Sequence, residues 1–291
     1  MNDKIIELKE VTFSYAKKKN LLNELSLSLS AGHIHGLLGK NGEGKSTLLK
    51  LMSGLLFPQK GAVSVMGFNP QKRHPDMLKE IYFIPEELPE FTLSIEHFEK
   101  IYAPFYPKFN PEQFDQILRE FQMDSKKLKL DKLSHGQKKK VVLAFGLATN
   151  TRVLLMDEPT NGLDIPSKGQ FRRIVASTLE DDRCMIISTH QVRDLDRLID
   201  NIVIMDEHEI VFNETIDRII EKLCFKLYDS EAMDDTVIYS ENTLRGFYQV
   251  RENRENEDSK LDIELLFNSV FNNKERIKKV FDKKEEKNIN Q

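Results

Sequence analysis

The chain has 291 residues, 40% hydrophobic and 31% charged, and a formal net charge of -4, which lacks the basic excess of nucleic-acid-binding proteins. Its two cysteines, Cys184 and Cys224, are far apart in the sequence, which predicts neither a disulfide framework nor a zinc site. A polar start without a signal-peptide pattern, and apolar runs too short to cross a bilayer, predict a cytoplasmic chain that reaches a membrane only through another protein.

The first third of the sequence predicts short strands, turns and one helix. Residues 5–15 alternate in part, with Val11, Phe13 and Tyr15 on one face. A second strand is marked by leucines that alternate with serines, at Leu25, Leu27 and Leu29. A buried-strand pattern at 33–39 is then followed by a glycine-rich turn and a segment with helical spacing. This order of elements is the one that a phosphate-binding loop requires.

The remaining sequence predicts three further regions. Residues 87–150 are rich in helix formers and aromatic residues and predict a helical insertion. From Thr151, strand patterns alternate with a helix predicted at 168–180, which favours a mainly parallel sheet. Beyond residue 220, three short strand patterns and helical spacing over 261–281 predict a C-terminal extension, 221–291, ending in the charged tail KKEEKNINQ.

A glycine-rich stretch joins the buried-strand pattern to the first helix. Residues 39–47, GKNGEGKST, have the Walker A spacing of glycine, four residues and then Gly-Lys-Ser. The glycines let the backbone approach phosphates, and the helix adds the positive end of its dipole. Lys45 is expected to reach the β- and γ-phosphates of ATP, and Ser46 to ligate Mg²⁺. The predicted nucleotide contacts of this loop are Gly39, Asn41, Gly42, Gly44, Lys45, Ser46 and Thr47.

A hydrophobic run that ends in two carboxylates follows the predicted insertion. In VLLMDEP, residues 153–159, Asp157 at the strand end is expected to hold Mg²⁺ through water. Glu158 is expected to act as the general base that polarises the attacking water. A strand stopped by acidic turn residues would have the same pattern, but a Walker A loop in the same chain favours a Walker B motif. Together the two motifs predict a P-loop NTPase.

A third motif, LSHGQ at residues 133–137, narrows the class. It resembles the LSGGQ signature of ABC ATPases, with His135 at the third position, and it lies about twenty residues before the Walker B carboxylates. Ser134 and Gln137 also have capping-box spacing, which predicts a capped helix start and is compatible with the signature. The resemblance implies that Ser134, Gly136 and Gln137 face the γ-phosphate of ATP bound to a second subunit.

Further matches to the same family follow along the chain. Residues 161–164, NGLD, look like the D-loop, which in this family lines the dimer interface. His190, after the strand pattern CMIIST, is similar to the switch histidine, which implies contact with the γ-phosphate and the attacking water, although a lone histidine at a strand end is usually structural. Tyr15 lies where the family places an aromatic residue that stacks on adenine. A core tyrosine on the Val11–Phe13 face fits the same pattern.

One departure from the family pattern lies between the core and the insertion, where the family usually has a glutamine. The segment reads YFIPEE at 82–87, and Glu86 takes the place of that glutamine, with Glu87 as an alternative. A glutamate can ligate Mg²⁺ but adds negative charge near the phosphates. The Pro-Glu form of this loop, and the segment at 105–109, resemble subunits of antibiotic-resistance or ABC-2-type exporters.

The resemblance covers residues 1–220 and implies the ATP-hydrolysing subunit of an ABC transporter, with ATP and Mg²⁺ as cofactors. The implied fold is α/β: a P-loop NTPase with a mainly parallel sheet, an N-terminal antiparallel β subdomain, the helical insertion at about 87–150 and a small C-terminal α+β extension. The implied partners are a second ATP-binding subunit, identical or a paralogue, and a membrane permease for export. This would place the chain on the inner face of the cell membrane.

Two alternatives remain at the level of sequence. The first is a non-transport ABC ATPase that acts on ribosomes or DNA. A single ATPase set, the balanced charge and the lack of a long coiled-coil insertion or zinc module speak against it, and no nucleic-acid partner is expected. The second is a P-loop protein that binds nucleotide and barely hydrolyses it, against which the presence of Glu158 and His190 speaks. The sequence leaves open the transported substrate and the role of the extension.

Overall fold

The computed structural model of the chain describes residues 4–16, 21–123, 125–195, 198–231 and 234–282. Within these ranges the strands, in chain order, are β1 (Lys4–Phe13), β2 (Leu22–Ser30), β3 (His33–Leu38), β4 (Lys60–Val65), β5 (Ile81–Ile84), β6 (Val153–Asp157), β7 (Cys184–Thr189), β8 (Asn201–Asp206), β9 (Glu209–Thr215), β10 (Leu223–Tyr228), β11 (Val237–Thr243) and β12 (Gly246–Glu252). The α-helices, in the same order, are α1 (Lys45–Met52), α2 (Pro75–Leu78), α3 (Ile95–Tyr102), α4 (Pro111–Glu120), α5 (His135–Ala148), α6 (Ile165–Ser177), α7 (Ile216–Lys222), α8 (Ile263–Asn272) and α9 (Lys274–Asp282). The charged tail predicted at 283–291 lies outside the described residues.

A six-stranded sheet with the order β5-β6-β7-β3-β8-β9 forms the centre of the fold. Its neighbouring strands are parallel except for β8 and β9, which form an antiparallel pair at one edge. Strands β6, β7 and β8 are buried along their whole length, which explains their largely apolar sequences. The register pairs Leu38 with Thr189 and Asp157 with Ser188. The carboxyl ends of β3, β6 and β7 therefore meet at one edge, where parallel sheets usually bind ligands.

An antiparallel sheet with the order β2-β1-β4 forms the predicted N-terminal subdomain. In β2 the buried residues Leu25, Leu27 and Leu29 alternate with more exposed serines, as predicted. These leucines share one hydrophobic cluster with α1 and with one face of the central strands. The antiparallel sheet therefore covers the side of the central sheet on which α1 lies.

The segment between β5 and β6 is helical, as predicted, and carries α3, α4 and α5. The side chains of Ser94, Asn110 and Ser134 accept hydrogen bonds from backbone N–H groups of the first turns, which explains where these helices begin. Phe145 of α5 lies in an aromatic cluster whose other rings, with centroids 5.0–6.5 Å from its own, are Tyr82, Phe98, Tyr102, Tyr106, Phe109 and Phe114. Since Tyr82 belongs to β5, the cluster anchors the insertion to the central sheet.

The helix after the Walker B strand begins earlier than its apolar spacing predicts. The prediction was 168–180, whereas α6 spans Ile165–Ser177. The carboxylate of Asp164 accepts a hydrogen bond of 2.8 Å from the N–H of Ser167, and Pro166 fits the first turn because it needs no N–H partner there. A capping residue and a proline therefore determine the start of this helix.

The C-terminal extension is a small α+β unit, as predicted. Helix α7 contains residue 220, the predicted boundary, and leads directly into an antiparallel sheet with the order β10-β12-β11. The helical spacing over 261–281 is divided between α8 and α9 at Asn273, whose φ of -140° and ψ of 44° are not helical. The apolar residues of the extension join the hydrophobic cluster of the insertion and the second face of the central sheet. None of the helices in the described ranges is long and apolar enough to span a bilayer.

Candidate nucleotide-binding and hydrolysis site

The loop between β3 and α1 has backbone conformations and close contacts that glycine satisfies. Gly42 and Gly44 have φ of 89° and 107°, in the left-handed region that favours glycine. A Cβ atom at Gly39 would lie 2.9 Å from the carbonyl oxygen of Met205. Gly44 is the N-cap of α1 and supplies no side-chain acceptor, so the first N–H groups of this helix are available to an anion. Loop and helix thus form the phosphate-binding geometry that the Walker A pattern predicts.

The side chain of Lys45 folds back across this loop. Its Nζ atom donates hydrogen bonds to the carbonyl oxygens of Gly39, at 2.8 Å, and Lys40, at 3.0 Å. Burial lowers the pKa of Lys45, while the carboxylates of Glu158 and Asp157 act in the opposite direction. The ammonium group is therefore fixed between the loop backbone and the acidic end of β6.

The other predicted residues of the loop lie near its helical end and its tip. Ser46 is partly buried and Thr47 is buried in the first turn of α1, whereas Asn41 is exposed at the turn before it. Glu43 is held by the N–H of His208, which donates to its carboxylate at 2.9 Å. The loop is thereby tied to the turn that follows β8.

Tyr15 lies beside the loop and not in the core. Strand β1 ends at Phe13, and Tyr15 beyond it is 64% exposed, so its interpretation as a core tyrosine is wrong. Its ring contacts that of Phe13 edge to face, with centroids 5.0 Å apart. Its hydroxyl lies 3.1 Å from the Thr47 hydroxyl. Because the Tyr15 ring is exposed and lies next to the phosphate-binding loop, stacking on adenine remains a prediction.

The two Walker B carboxylates end β6 in a tight, buried turn. Asp157 accepts a hydrogen bond from the hydroxyl of Ser188 on β7. Glu158 is 4% exposed and has a φ of 44°, which glutamate rarely adopts. Its N–H donates to the Ser188 carbonyl oxygen at 3.1 Å, and lies 3.2 Å from the Ser188 hydroxyl. These bonds hold a strained backbone in place, as is common at functional sites.

The carboxylate of Glu158 is held by the segment that ends β7. One oxygen accepts a hydrogen bond from the Thr189 hydroxyl at 3.0 Å. The other accepts from the backbone N–H of His190 at 2.9 Å and from its ring Nδ1 at 2.8 Å. Since an ionised carboxylate only accepts, the proton lies on Nδ1 and the Nε2 atom is left for a bound group. The structure therefore brings the two predicted catalytic residues into direct contact.

The signature segment forms the capped start of α5. The Ser134 hydroxyl accepts from the N–H of Gln137 at 3.3 Å, and the Gln137 side chain accepts from the N–H of Ser134 at 3.0 Å, which confirms the capping box. Ser134, His135 and Gln137 are exposed. A Cβ atom at Gly136 would lie 2.6 Å from the carbonyl oxygen of Gly162, so this glycine permits close packing on the D-loop. The signature thus presents a helix N-terminus to the surface.

Glu86 follows β5 and is exposed, but its side chain is held. One carboxylate oxygen accepts a hydrogen bond from the amide of Asn161 in the D-loop, at 3.0 Å. The carbonyl oxygen of the Asn161 side chain in turn accepts from Gln191, the residue after His190, at 3.3 Å. Glu87 is also exposed, but the described contact with the D-loop belongs to Glu86.

The sequence interpretation missed Lys139, a buried lysine of the signature helix. Its side chain is fully buried, and its Nζ atom donates to the carbonyl oxygens of Pro85 and Glu86, both at 3.1 Å. Burial lowers the pKa of Lys139 to about 8, although Asp157, Glu86 and Glu158 act in the opposite direction. The run of three lysines at 138–140 resembles a solvated face. No local signal places the middle lysine inside, because residues 141–148 are all buried and each of the three lysines therefore has buried residues three and four positions later.

The predicted Mg²⁺ ligands Ser46, Asp157 and Glu86 offer only oxygen atoms, which this ion prefers. Within the described parts of the chain there is no cluster of three or more histidine, cysteine or acidic residues that could hold a metal alone. Mg²⁺ is typically bound through one or two carboxylates together with the phosphates of a nucleotide. The donor set therefore fits an ion that arrives with ATP.

Comparison with known proteins identifies the family. Residues 22–161 match the family model described as ABC transporter. A putative ABC transporter ATP-binding protein of Caldanaerobacter subterraneus is 32% identical over 237 residues, which cover 77% of this chain and 98% of the relative. The chain belongs to the ABC transporter family. It is an ATP-binding subunit of that family and an ATPase, which confirms the conclusion drawn from the three motifs.

Other ABC relatives have related names. The bacitracin transport ATP-binding protein BcrA of Bacillus licheniformis is 31% identical over 234 residues, 77% of this chain and 76% of the relative. The ABC transporter ATP-binding protein NatA of Bacillus subtilis is 25% identical over 252 residues, 83% of this chain and 99% of the relative. These matches extend beyond the nucleotide site, over 77% and 83% of this chain.

Solved ABC structures share the fold. An ATP-binding subunit of an ABC transporter has a TM-score of 0.67 and 24% identity, covering 74% of this chain and 91% of that chain. A bacterial Atm1-family ABC exporter with ATP bound has a TM-score of 0.63 and 20% identity, covering 75% of this chain and 40% of that one. The predicted P-loop NTPase fold is thereby confirmed.

Proposed function

We propose that this ABC subunit works as a dimer beneath a separate permease and powers export by hydrolysing ATP. The observation that supports the dimer is the contrast between its two sets of site residues. Lys45, Asp157 and Glu158 are buried and held by their own chain, whereas Ser134 is exposed and its hydroxyl bonds to Gln137 in its own helix turn. Each chain thus carries two different halves of a site, and a complete site needs a second chain facing it.

In such a dimer one chain supplies the groups that bind and cleave ATP. Lys45 and the N–H groups at the start of α1 bind phosphate oxygens. Mg²⁺ held by Ser46, Asp157 and Glu86 would offset phosphate charge. Glu158 accepts a proton from the attacking water, and the free Nε2 atom of His190 faces the γ-phosphate.

The second chain supplies its signature helix. The exposed helix N-terminus at Ser134, Gly136 and Gln137 places N–H groups and a hydroxyl at the γ-phosphate of the first chain. Tyr15 of the first chain stacks on adenine through its exposed ring. The D-loops of the two chains then lie at the interface, because each packs directly on the signature segment of its own chain.

A groove between the core and the insertion supports a permease as the further partner. It has a volume of about 780 Å³ and is lined by both regions, including the exposed side chains of Leu55 and Phe105. Exposed apolar side chains in a groove of this kind fit the apolar face of a short helix. A permease bound there places the chain at the cytoplasmic face of a membrane. The name of the bacitracin transport relative favours a transport role, and the resemblance of the Pro-Glu loop to that of exporter subunits favours export.

The test is ATP hydrolysis by the purified chain across a series of protein concentrations. We expect turnover per chain to rise with concentration as dimers form, and to fall roughly 1,000-fold in Glu158→Gln. A control variant, Glu112→Gln, removes an exposed carboxylate of α4 and should behave as the wild type. Constant turnover at concentrations where the chain is monomeric would exclude a site shared between chains. Isolation from membranes without an integral membrane partner would exclude the permease.

A further inference from the structure

The buried ammonium group of Lys139 lies where three parts of the site meet. It belongs to α5, the helix that begins with the signature, and it donates to the carbonyl oxygens of Pro85 and Glu86 in the loop after β5. The acidic groups that favour its charge are Asp157, Glu86 and Glu158. A fully buried lysine is costly unless its charge and its N–H groups are satisfied, so this position requires both the carbonyls and the carboxylates.

A chain of hydrogen bonds extends from this lysine to Gln191, the residue after the predicted switch histidine. Lys139 holds the backbone at Glu86, and the Glu86 side chain accepts from Asn161. Asn161 accepts from Gln191, whose side-chain oxygen accepts from Lys168 at 3.2 Å. The Glu86 carboxylate therefore has a defined position although the residue is exposed.

We propose that Lys139 is a positioning residue for hydrolysis: its hydrogen bonds fix the Glu86 loop to the signature helix, and its positive charge offsets the charge that Glu86 adds, as a third carboxylate, to those of Asp157 and Glu158. The inference rests on the proposed function, because the signature helix is the element that faces the nucleotide of the partner chain. The Lys139 side chain then links the signature helix, which contacts the ATP of the partner chain, to the Glu86 loop, which belongs to the ATP site of its own chain.

The test is a double-mutant cycle between Lys139 and Glu86. Lys139→Met keeps the length of the side chain and removes its charge and donors, and Glu86→Gln removes the third carboxylate. We expect Lys139→Met to lower kcat by roughly 10- to 100-fold with the KM for ATP changed less than about threefold. In the Glu86→Gln background the same change should lower kcat less, by roughly 3- to 10-fold, because the charge it balances is gone while the bonds to the loop carbonyl oxygens are still lost.

A matched control is Lys138→Met, which removes a charge from the adjacent position of the same helix, outside the Glu86 contact. Lys139→Gln removes the charge but keeps an N–H donor, and it replaces Lys139→Met in the cycle if the methionine variant does not fold. A readout independent of turnover is hydrogen exchange of the nucleotide-free chain. Exchange of the amides at 84–90 should be about tenfold faster in Lys139→Met than in Lys138→Met, because the loop loses its anchor.

Two results would overturn the proposal. The first is a cycle in which the two effects on kcat simply multiply, which would mean that Lys139 does not balance Glu86. The second is equal loop exchange in Lys139→Met and Lys138→Met, which would mean that Lys139 does not anchor the loop. Both results are distinguishable from a failure of the proposed function, since that failure would appear as wild-type turnover independent of dimer formation.

Discussion

The two halves of the nucleotide site differ in how far one chain completes them. In the inner half, at the carboxyl ends of β3, β6 and β7, Lys45, Asp157 and Glu158 are buried and all accept or donate hydrogen bonds within the chain. In the outer half, at the start of α5, Ser134 and Gln137 are exposed, and their side chains bond to each other's backbone N–H groups. The buried residues are therefore positioned by the fold of their own chain, whereas the exposed residues are available to another molecule.

This difference has a consequence for variants. A change in the inner half removes chemistry and also disturbs buried hydrogen bonds, so it should affect turnover and stability together. A change in the outer half that keeps the helix cap should affect turnover alone. Three variants and one change of pH test that separation, in order of decreasing expected effect.

The largest effect is expected from Ser134→Asp. Aspartate caps a helix as well as serine, but its charge would oppose the γ-phosphate, so turnover should fall by roughly 1,000-fold at unchanged stability. Mixing Ser134→Asp chains with inactive Glu158→Gln chains should restore about a quarter of wild-type turnover, because half of random dimers are mixed and each has one intact site. Turnover and thermal unfolding are measured on the separate and mixed variants. Ser134→Asn, an uncharged cap, is the control, and a mixture that stays inactive would contradict a shared site.

A smaller effect is expected from His190→Ala in the inner half. Loss of the ring that donates to Glu158 should lower kcat by roughly 100-fold. It should also lower the free energy of unfolding by about 1 kcal/mol, because the buried carboxylate of Glu158 loses a donor. Steady-state turnover and urea unfolding are measured together. A loss of stability without a loss of turnover would leave His190 a structural residue only.

Variants of Tyr15 test whether an exposed residue can belong to the inner half of the site. Tyr15→Ala should raise the KM for ATP about tenfold with little change in kcat, since a stacking surface is lost and no reacting group. Tyr15→Phe should behave as the wild type, because it keeps the ring and loses only the hydroxyl contact with Thr47. Equal KM values for the alanine and phenylalanine variants would exclude stacking.

The smallest effect is expected from pH acting on β3, the strand that leads into the Walker A loop. Burial lowers the pKa of His35 to about 4, from an ordinary value of 6.5. The unfolded chain therefore takes up a proton as the pH falls below 6.5 while the folded chain does not, so stability is lost between pH 6.5 and 4. We expect the free energy of unfolding to be roughly 1 kcal/mol lower at pH 5.5 than at 7.5.

The measurement is urea unfolding at both pH values, with His35→Gln and His97→Gln alongside. Glutamine at 35 can still donate to the carbonyl oxygen of Ser30, which the histidine Nε2 atom contacts at 3.0 Å. It carries no titrating group, so the pH dependence should decrease. His97 is exposed and its variant should keep the wild-type dependence. If the free energy of unfolding of His35→Gln depended on pH as strongly as that of the wild type, other groups would cause the dependence.

The glycine-rich loop, the end of β6 and the capped start of α5 could be located from the sequence, because each depends on a local pattern. The loop at 39–47 needs its glycines, β6 ends in its carboxylates, and Ser134 and Gln137 have the spacing of a capping box. The exposure of Tyr15 was not predictable in this way, since alternation continues past Phe13 where the strand does not. Lys139 was missed because its partners lie more than 50 residues away, as the contact with Glu86 shows. Such contacts arise from packing of the insertion on the core, which no local pattern records.

The left-handed backbone at Glu158 has a consequence for a cell that carries two versions of this gene. Asparagine adopts that conformation at lower cost than glutamate, which should offset part of the stability lost with the hydrogen bonds that the Glu158 carboxylate accepts, so we expect Glu158→Asn chains to fold. They would retain the Lys45 loop and the signature, and would therefore still bind ATP and pair with normal chains. Each mixed dimer would contain one silent site. With equal amounts of both chains, total turnover should fall to about half, because roughly a quarter of the dimers keep two intact sites, half keep one and a quarter keep none.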